Sequence, residues 1–189
     1  MIDTLCKRAV DENATVACFY FDFATQEEEP LATILGSLLK QIVGGLNEIP
    51  QTIVKAFRDS RRVIGGQRLA LAEIVGFLQD ISSSQRTFIC IDALDECPER
   101  QRAKLLDSLS QIVQNSLATR IFLTGRSHIR DEVELHLVGK AATRSITPTT
   151  DDIVTFLQAK LREDTIPNAM DKRLEEEIIK IIPRTVSEM

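Results

Sequence analysis

The chain has 189 residues, of which 43% are hydrophobic and 27% charged, and its formal net charge is −5. This length corresponds to about one domain, which buries roughly 70% of its unfolded surface and folds without disulfides or metal. The acidic balance argues against a general nucleic-acid binder, and the longest apolar run is far shorter than the ~20 residues of a membrane-spanning helix. The four cysteines form no CxxC pair and indicate small buried apolar residues in a reducing, cytoplasmic compartment: Cys6, Cys18, Cys90 and Cys97.

Along the chain, apolar runs that favour strands alternate with amphipathic helical stripes. The run Thr15–Phe21 (TVACFYF) predicts a strand that is buried on both faces. From Leu31 to Leu46, apolar residues recur at the spacing of one helix face. Pro30 before this stripe and Gly44–Gly45 near its end are typical of helix boundaries.

The middle of the chain continues the same alternation. One short helix is expected after Pro50 and another over Leu69–Ile81. The run Thr87–Ile91 (TFICI) predicts a second buried strand, which is followed by a helix over Glu99–Gln114. The run Arg120–Thr124 (RIFLT) predicts the third strand.

The last part of the sequence is predicted to be mostly helical. A weaker fourth strand is expected near Thr143–Thr147, and Thr149 with Asp152 forms the pattern of a capping box that opens a helix. A final helix over Lys172–Ile182 is expected to stop at Pro183. Strands that are separated by helices of this length must be parallel, so the predicted fold class is α/β, a three-layer α/β/α arrangement with a mostly parallel sheet.

Two charged clusters are interpreted as solvated surface, with a specific binding role as the alternative. The acidic run Glu27–Glu29 is assigned to a loop. A group of arginines lies on either side of the glycine pair Gly65–Gly66, which is expected to separate two helices. These arginines are assigned to loop and helix faces: Arg58, Arg61, Arg62 and Arg68.

The stretch Phe88–Cys97 (FICIDALDEC) carries most of the chemical information. Its buried strand delivers Asp92 to the carboxyl end, the edge at which open α/β sheets bind ligands. An aspartate there can hold Mg²⁺, usually through water. Asp95 and Glu96 follow closely enough to polarise a water for attack on a phosphate. The alternative is that Asp92 ends the strand and the other two acids cap the next helix.

The next predicted strand ends in LTGRS, with Arg126 just past the apolar run. If the two strands are neighbours, ~4.8 Å apart, Arg126 lies at the same edge as Asp92. An arginine at that place can sense or stabilise the charge of a γ-phosphate. The alternative is an arginine of a surface loop.

The stretch FICIDALDECPE followed by RIFLTGRS resembles the NACHT-type NTPases of the STAND class of P-loop ATPases, in particular the fungal forms known as nephrocystin-like N-terminal domains. In that family's Walker B strand, the Mg-binding aspartate is followed by a small residue, an apolar residue and two acids, as in Asp92–Glu96. Phe19–Phe23 (FYFDF) is similar to the family's second strand, and Asp151–Ile153 is similar to the start of its late helix. Arg126 falls at the family's sensor arginine, although the family more often has Ser-Arg-Pro where this chain has Gly-Arg-Ser.

The chain departs from that family at the Walker A motif. It contains no G-x-x-x-x-G-K-S/T sequence, whose backbone amides and lysine hold the phosphates. Ile2–Val10 resembles the helix that follows this loop, so we expect the chain to begin inside that helix, without the first strand and the Walker A loop. The resemblance therefore implies an incomplete nucleotide-binding core over residues 1–148 and a helical segment over residues 149–189 that leads toward an absent C-terminal region.

For the complete family, the resemblance implies a cytoplasmic signalling ATPase. Such a protein binds Mg²⁺ and ATP, hydrolyses ATP slowly, and associates with itself or with protein partners, but not with nucleic acid or membrane. Here it assigns Asp92 to Mg²⁺, Asp95 and Glu96 to water activation and Arg126 to the γ-phosphate, with little ATP binding and no turnover expected without Walker A. The alternative is a non-catalytic truncated module that acts, if at all, through protein–protein interaction.

Overall fold

A computed structural model describes residues 5–7, 9, 14–22, 30–62, 68–114, 116, 118–139, 141–163 and 171–187. The chain divides into two units, residues 1–143 and residues 144–189. Three features of the sequence fall outside the described residues: the acidic run Glu27–Glu29, the glycine pair Gly65–Gly66 and most of Ile2–Val10.

The described residues of the first unit contain one sheet of three parallel strands. The strands are β1 (Thr15–Tyr20), β2 (Thr87–Asp92) and β3 (Thr119–Leu123), in the order β1-β2-β3. Their first residues are register partners, so the three strands begin level with one another. The three strong strand predictions are confirmed to within one residue at each end, and β2 is buried over all but its last residue, as a central strand should be.

Helices connect the strands and complete the α/β fold that the sequence predicts. Between β1 and β2 lie α1 (Leu31–Gly44), α2 (Gln51–Arg62) and α3 (Leu71–Ser84). Between β2 and β3 lies α4 (Glu99–Gln114), and α5 (Arg130–His136) follows β3 after a short 3-10 turn. None of the described helices has both the length and the apolar character that crossing a membrane requires.

The core forms where one face of the sheet packs against α1, α3 and α4. Each helix contributes the apolar stripe that its sequence predicts, and the central strand contributes the sheet side. The largest fully buried side chains are Ile34, Leu35, Leu38, Ile42, Leu78, Ile89, Ile91, Leu94, Leu105, Leu106, Leu109 and Ile112. Burial of these stripes is the main term that stabilises the unit.

The cysteines are partly as predicted. Cys90 and Cys97 are buried, whereas Cys18 is half-buried and Cys6 is exposed, so the interpretation of all four as buried is wrong for Cys6. Burial raises the pKa of the Cys90 thiol to about 12 and also raises the pKa of Cys18, its register partner on β1. Both thiols therefore stay protonated at neutral pH.

The predicted fourth strand near Thr143–Thr147 is wrong. Residues 141–149 form neither strand nor helix, and Ile146, the one large apolar side chain of this segment, is 86% exposed. A strand must bury a row of side chains to offset the cost of ordering its backbone, and this segment has only one to bury. Consequently β2 is the only strand partner of β3 within the described residues.

The second unit contains α6 (Thr150–Glu163) and α7 (Lys172–Ser187), which pack against each other. The predicted capping box is confirmed, because the Asp152 carboxylate accepts hydrogen bonds from the Thr149 backbone N–H at 2.9 Å and from its hydroxyl at 2.7 Å. These bonds lower the pKa of Asp152. The predicted stop at Pro183 is wrong: α7 continues to Ser187, since one proline near a helix end removes a single backbone donor.

The outer edge of β1 is closed by a side chain of α1. Gln41 donates from Nε2 to the Cys18 carbonyl at 2.9 Å and accepts from the Cys18 N–H, also at 2.9 Å, through Oε1. The amide thus makes the pair of bonds that a neighbouring strand would make. Exposed sheet edges are templates for pairing with other chains, and this contact occupies the β1 edge at Cys18.

We therefore expect Gln41→Ala to open the β1 edge. Losing both hydrogen bonds should lower the free energy of unfolding by about 1 kcal/mol and should increase self-association. Urea unfolding and light scattering measure the two effects. Lys40→Ala, at the neighbouring exposed position of the same helix, is the control, and identical behaviour of the two variants would contradict the edge-closing role.

Candidate functional site

Asp92 ends the central strand with its side chain exposed at the carboxyl edge of the sheet. Its Oδ1 accepts a hydrogen bond from the hydroxyl of Thr124, the residue that follows β3. The same hydroxyl accepts the Ala93 N–H at 3.1 Å. The Thr124 backbone donates to the Ile91 carbonyl at 3.0 Å and accepts the Leu94 N–H at 2.9 Å. Thr124 therefore joins the ends of β2 and β3 and fixes the Asp92 carboxylate.

Arg126 lies at the same edge, in the loop after β3. Its backbone N–H donates to Asp95 Oδ1 at 3.2 Å, and its guanidinium Nε is 3.3 Å from Asp95 Oδ2. The Asp95 side chain is only 8% exposed, whereas that of Arg126 is 78% exposed. Asp95 is thus an anchor for the loop, and most of the guanidinium faces solvent.

Glycine at position 125 lets this loop lie close to the acidic turn. A Cβ atom added to Gly125 would stand 2.6 Å from Ile129 Cδ1 and 3.4 Å from Asp95 Oδ1. Ile129 is buried, so it has little room to move away. The close packing gives a local reason for glycine rather than serine at position 125.

The turn that follows Asp92 has a strained first residue. Ala93 has φ 54° and ψ 45°, in the left-handed region that residues with a Cβ atom avoid. The turn sends Leu94 into the core, where it is fully buried, and starts the 3-10 segment Leu94–Glu96. Strain of this kind persists only where the surrounding contacts determine the conformation, here those of Thr124.

Arg102 on α4 supports the acidic turn from the core side. Its Nη1 donates to the Cys97 carbonyl at 2.8 Å and to the Asp95 carbonyl at 3.4 Å, and its Nε donates to Glu132 Oε2 on α5 at 2.7 Å. The Arg102 side chain is 10% exposed and that of Glu132 22%. A buried charge is tolerated only when it is paired and hydrogen-bonded, and Arg102 meets both conditions.

The structure brings together the four residues that the sequence selects: Asp92, Asp95, Glu96 and Arg126. Their chemical roles remain predictions. Glu96 is half-buried, and its carboxylate makes no hydrogen bond or ion pair with the described residues. Sequence analysis missed Thr124 and Arg102. The position of Thr124 directly after a strand was the one available signal for it, whereas Arg102 has the same sequence context as any other charged residue of its helix.

The carboxylates at this edge suit Mg²⁺ only if phosphates and waters supply its other ligands, as they do in nucleotide sites. Among the described residues, no group of three or more His, Cys, Asp or Glu could hold a metal ion. Mg²⁺ keeps several waters and is bound through one or two carboxylates together with substrate phosphates. An exposed Asp92, with one oxygen fixed by Thr124, fits that shared mode of binding.

Comparison with known proteins gives one family. The family model described as "Nephrocystin 3, N-terminal" matches residues 1–126, which is about two thirds of the 189-residue chain. The match contains all three strands of the described sheet and ends at Arg126. A comparison with curated proteins gives no significant match.

Removing the support behind the acidic turn should destabilise the first unit. Arg102→Ala leaves Glu132 without its partner and removes the hydrogen bonds that Arg102 donates to the Cys97 and Asp95 carbonyls, so we expect a loss of about 3 kcal/mol in the free energy of unfolding. Denaturant unfolding measures this loss. The control, Arg130→Ala, removes an exposed ion pair with Glu134 and should leave the unfolding midpoint unchanged. Equal midpoints for the two variants would contradict the supporting role of Arg102.

Relieving the strained turn should have the opposite effect. Ala93→Gly removes the Cβ atom that disfavours a left-handed residue, so we expect a gain of up to about 1 kcal/mol in the free energy of unfolding. Ala103→Gly in the middle of α4 is the matched control, and it should lose about 1 kcal/mol because glycine is a poor helix former. If both variants lose stability equally in the same unfolding measurement, Ala93 is not strained in solution.

Proposed function

The chain belongs to the nephrocystin 3 N-terminal family, and from that premise we propose that its first unit is part of a NACHT-type nucleoside-triphosphatase core of the STAND class of P-loop ATPases. One observation carries the proposal. Asp92 ends β2, Arg126 comes shortly after the adjacent parallel strand β3, and both lie at the carboxyl edge of the sheet, where α/β folds bind nucleotides.

Asp92 is the residue that would hold Mg²⁺, through a coordinated water. Its exposure leaves room for the ion's hydration shell, and the Thr124 hydroxyl orients the carboxylate. When bound, the ion neutralises charge on the phosphates. Thr124 would thereby act as a positioning residue, because it contacts the carboxylate and the turn.

Arg126 is the residue that would contact the γ-phosphate. An anchor at its Nε leaves the two terminal nitrogens of the guanidinium, which donate in parallel, for phosphate oxygens. The same anchor occupies Asp95, whose two carboxylate oxygens both face Arg126. We therefore assign loop positioning to Asp95, and water activation to Glu96, whose carboxylate is not engaged by the described residues.

Strong nucleotide binding requires phosphate-binding groups in addition to the acids and the arginine at this edge of the sheet. Most phosphate affinity in P-loop proteins comes from the backbone N–H cradle, the lysine and a helix N-terminus acting together, and the sequence contains no G-x-x-x-x-G-K-S/T motif. The acids at the edge repel phosphate until a cation has bound. The absence of the motif also favours the second candidate, a non-catalytic module that acts through protein–protein interaction.

Titration with labelled ATP separates the two candidates. We expect the chain to bind Mg-ATP with a Kd of about 1 mM or weaker, roughly −4 kcal/mol, and to show no turnover above background. Fusing a segment with a complete P-loop ahead of Met1 should tighten binding, and Asp92→Asn in that fusion should weaken it again. Micromolar binding by the unmodified chain would contradict the assignment of the phosphate site.

A second measurement does not depend on the fusion folding correctly. Mn²⁺ added with millimolar ATP should broaden the backbone amide NMR signals of Ala93 and Thr124 in the unmodified chain. Asp92→Asn should reduce that broadening, while Asp80→Asn, an exposed aspartate of α3, should not. Broadening that is the same in both variants would contradict the role of Asp92 in metal binding.

A further inference from the structure

A concave surface between α1, α2 and α3 shares no lining residue with the Asp92 edge. We call it the α1–α3 groove; its volume is about 810 Å³. One face of α2 forms a wall through Val54, Phe57, Arg58 and Arg61, which follow the i, i+3, i+4, i+7 spacing of a single helix face. Apolar side chains of α1 and α3 also line it, among them Leu39, Val43 and Ile74.

Four exposed cations border the groove, and none of its described lining residues is acidic. Lys40 is on α1, Arg58 and Arg61 are on α2, and Arg68 precedes α3. Within the described part of the chain, Lys40, Arg58 and Arg68 form no ion pair with a carboxylate. In a chain of net charge −5, the groove is therefore a local positive region.

All four arginines of the cluster are exposed, as expected for a solvated surface, and three of them also line the groove. Arg62 is the exception and pairs with Asp59 of its own helix at 3.5 Å. Arg61 instead stacks over the Phe57 ring, with its guanidinium carbon 4.9 Å from the ring centroid. Together with Arg58 and Arg68 it lines the groove.

The groove is open and apolar. Phe57 is 54% exposed and Ile49 is 48% exposed, so large side chains at the groove remain in contact with water. An exposed, concave apolar surface that is surrounded by charged residues is typical of a binding site.

We propose that the α1–α3 groove binds an amphipathic helix of a protein partner whose polar flanks carry aspartate and glutamate. The apolar face of such a helix fills the groove, and its acidic flanks meet the four cations. The cations lie on three separate chain segments, so a ligand with a single carboxylate cannot pair with all of them, whereas a helix with acids on both flanks can. A flat lipid surface would not reach the concave apolar floor.

The test uses a matched pair of labelled peptides. Both have about 16 residues, enough for a bound helix of four turns, with leucines along one face. One carries glutamate on both flanks and the other carries lysine at the same positions. In fluorescence polarisation we expect saturable binding of the glutamate peptide and no binding of the lysine peptide.

Two double variants of α2 give the decisive comparison. Arg58→Glu with Arg61→Glu reverses two groove cations and should weaken binding of the glutamate peptide about tenfold or more. Lys55→Glu with Arg62→Glu makes the same change in net charge at exposed positions of this helix that do not line the groove, and should stay within about twofold of the unmodified chain. Circular dichroism of both variants checks that the fold is intact.

A third variant tests the apolar contact. Phe57→Ala should weaken binding at both low and high salt, because the ring contributes apolar area rather than charge. Equal weakening by the two double variants, or equal binding of both peptides, would overturn the proposal. So would binding of dodecanoate or of anionic lipid vesicles that Arg58→Glu with Arg61→Glu abolishes, in the absence of peptide binding.

Discussion

The tie that Thr124 makes between the ends of β2 and β3 is the contact on which the candidate site depends. A parallel sheet sets the spacing of its strands but not the course of the chain after each strand ends. Thr124 fixes that course through the Asp92 carboxylate, the Ala93 N–H and the backbone of Ile91 and Leu94. These bonds hold Ala93 in a conformation that it would not adopt alone, and they place the following acids at the same edge as Arg126.

Two ion pairs neutralise part of the charge at this edge, one on each side of the acidic turn. The nearly buried Asp95 pairs with Arg126 on the solvent side of the turn. Arg102, on the core side, pairs with Glu132. Asp92 is left exposed, and the Glu96 carboxylate has no partner among the described residues. A buried acid with a fixed cation is suited to holding a loop, and an exposed acid is suited to meeting a solvated ion. The division of roles proposed for the three acids follows from this difference in burial.

The sequence predicts those parts of the molecule that local patterns determine. The β2 strand was found because a strand covered on both faces is a continuous apolar run, and α1 because its stripe repeats at the helical period. The failures have tertiary causes. Thr143–Thr147 has strand-favouring residues but no face to bury, and Arg102 gains its role from carbonyls and a carboxylate that only the fold brings near. The sequence likewise does not show that three of the exposed arginines border a groove, because a charged run does not reveal what its helix lies beside.

One helix serves the sheet and the groove through different faces. On α1, Leu35 and Leu38 pack into the core, Gln41 closes the edge of β1, and Lys40 faces the groove. The helical period separates these positions around the axis, so one helix can contact the core, the edge of β1 and the groove at the same time. Since the core already fixes α1, the wall that this helix contributes to the groove is in place before any partner binds. Binding there would cost little reorganisation of this helix, which is the condition under which an open groove of modest size can still give useful affinity.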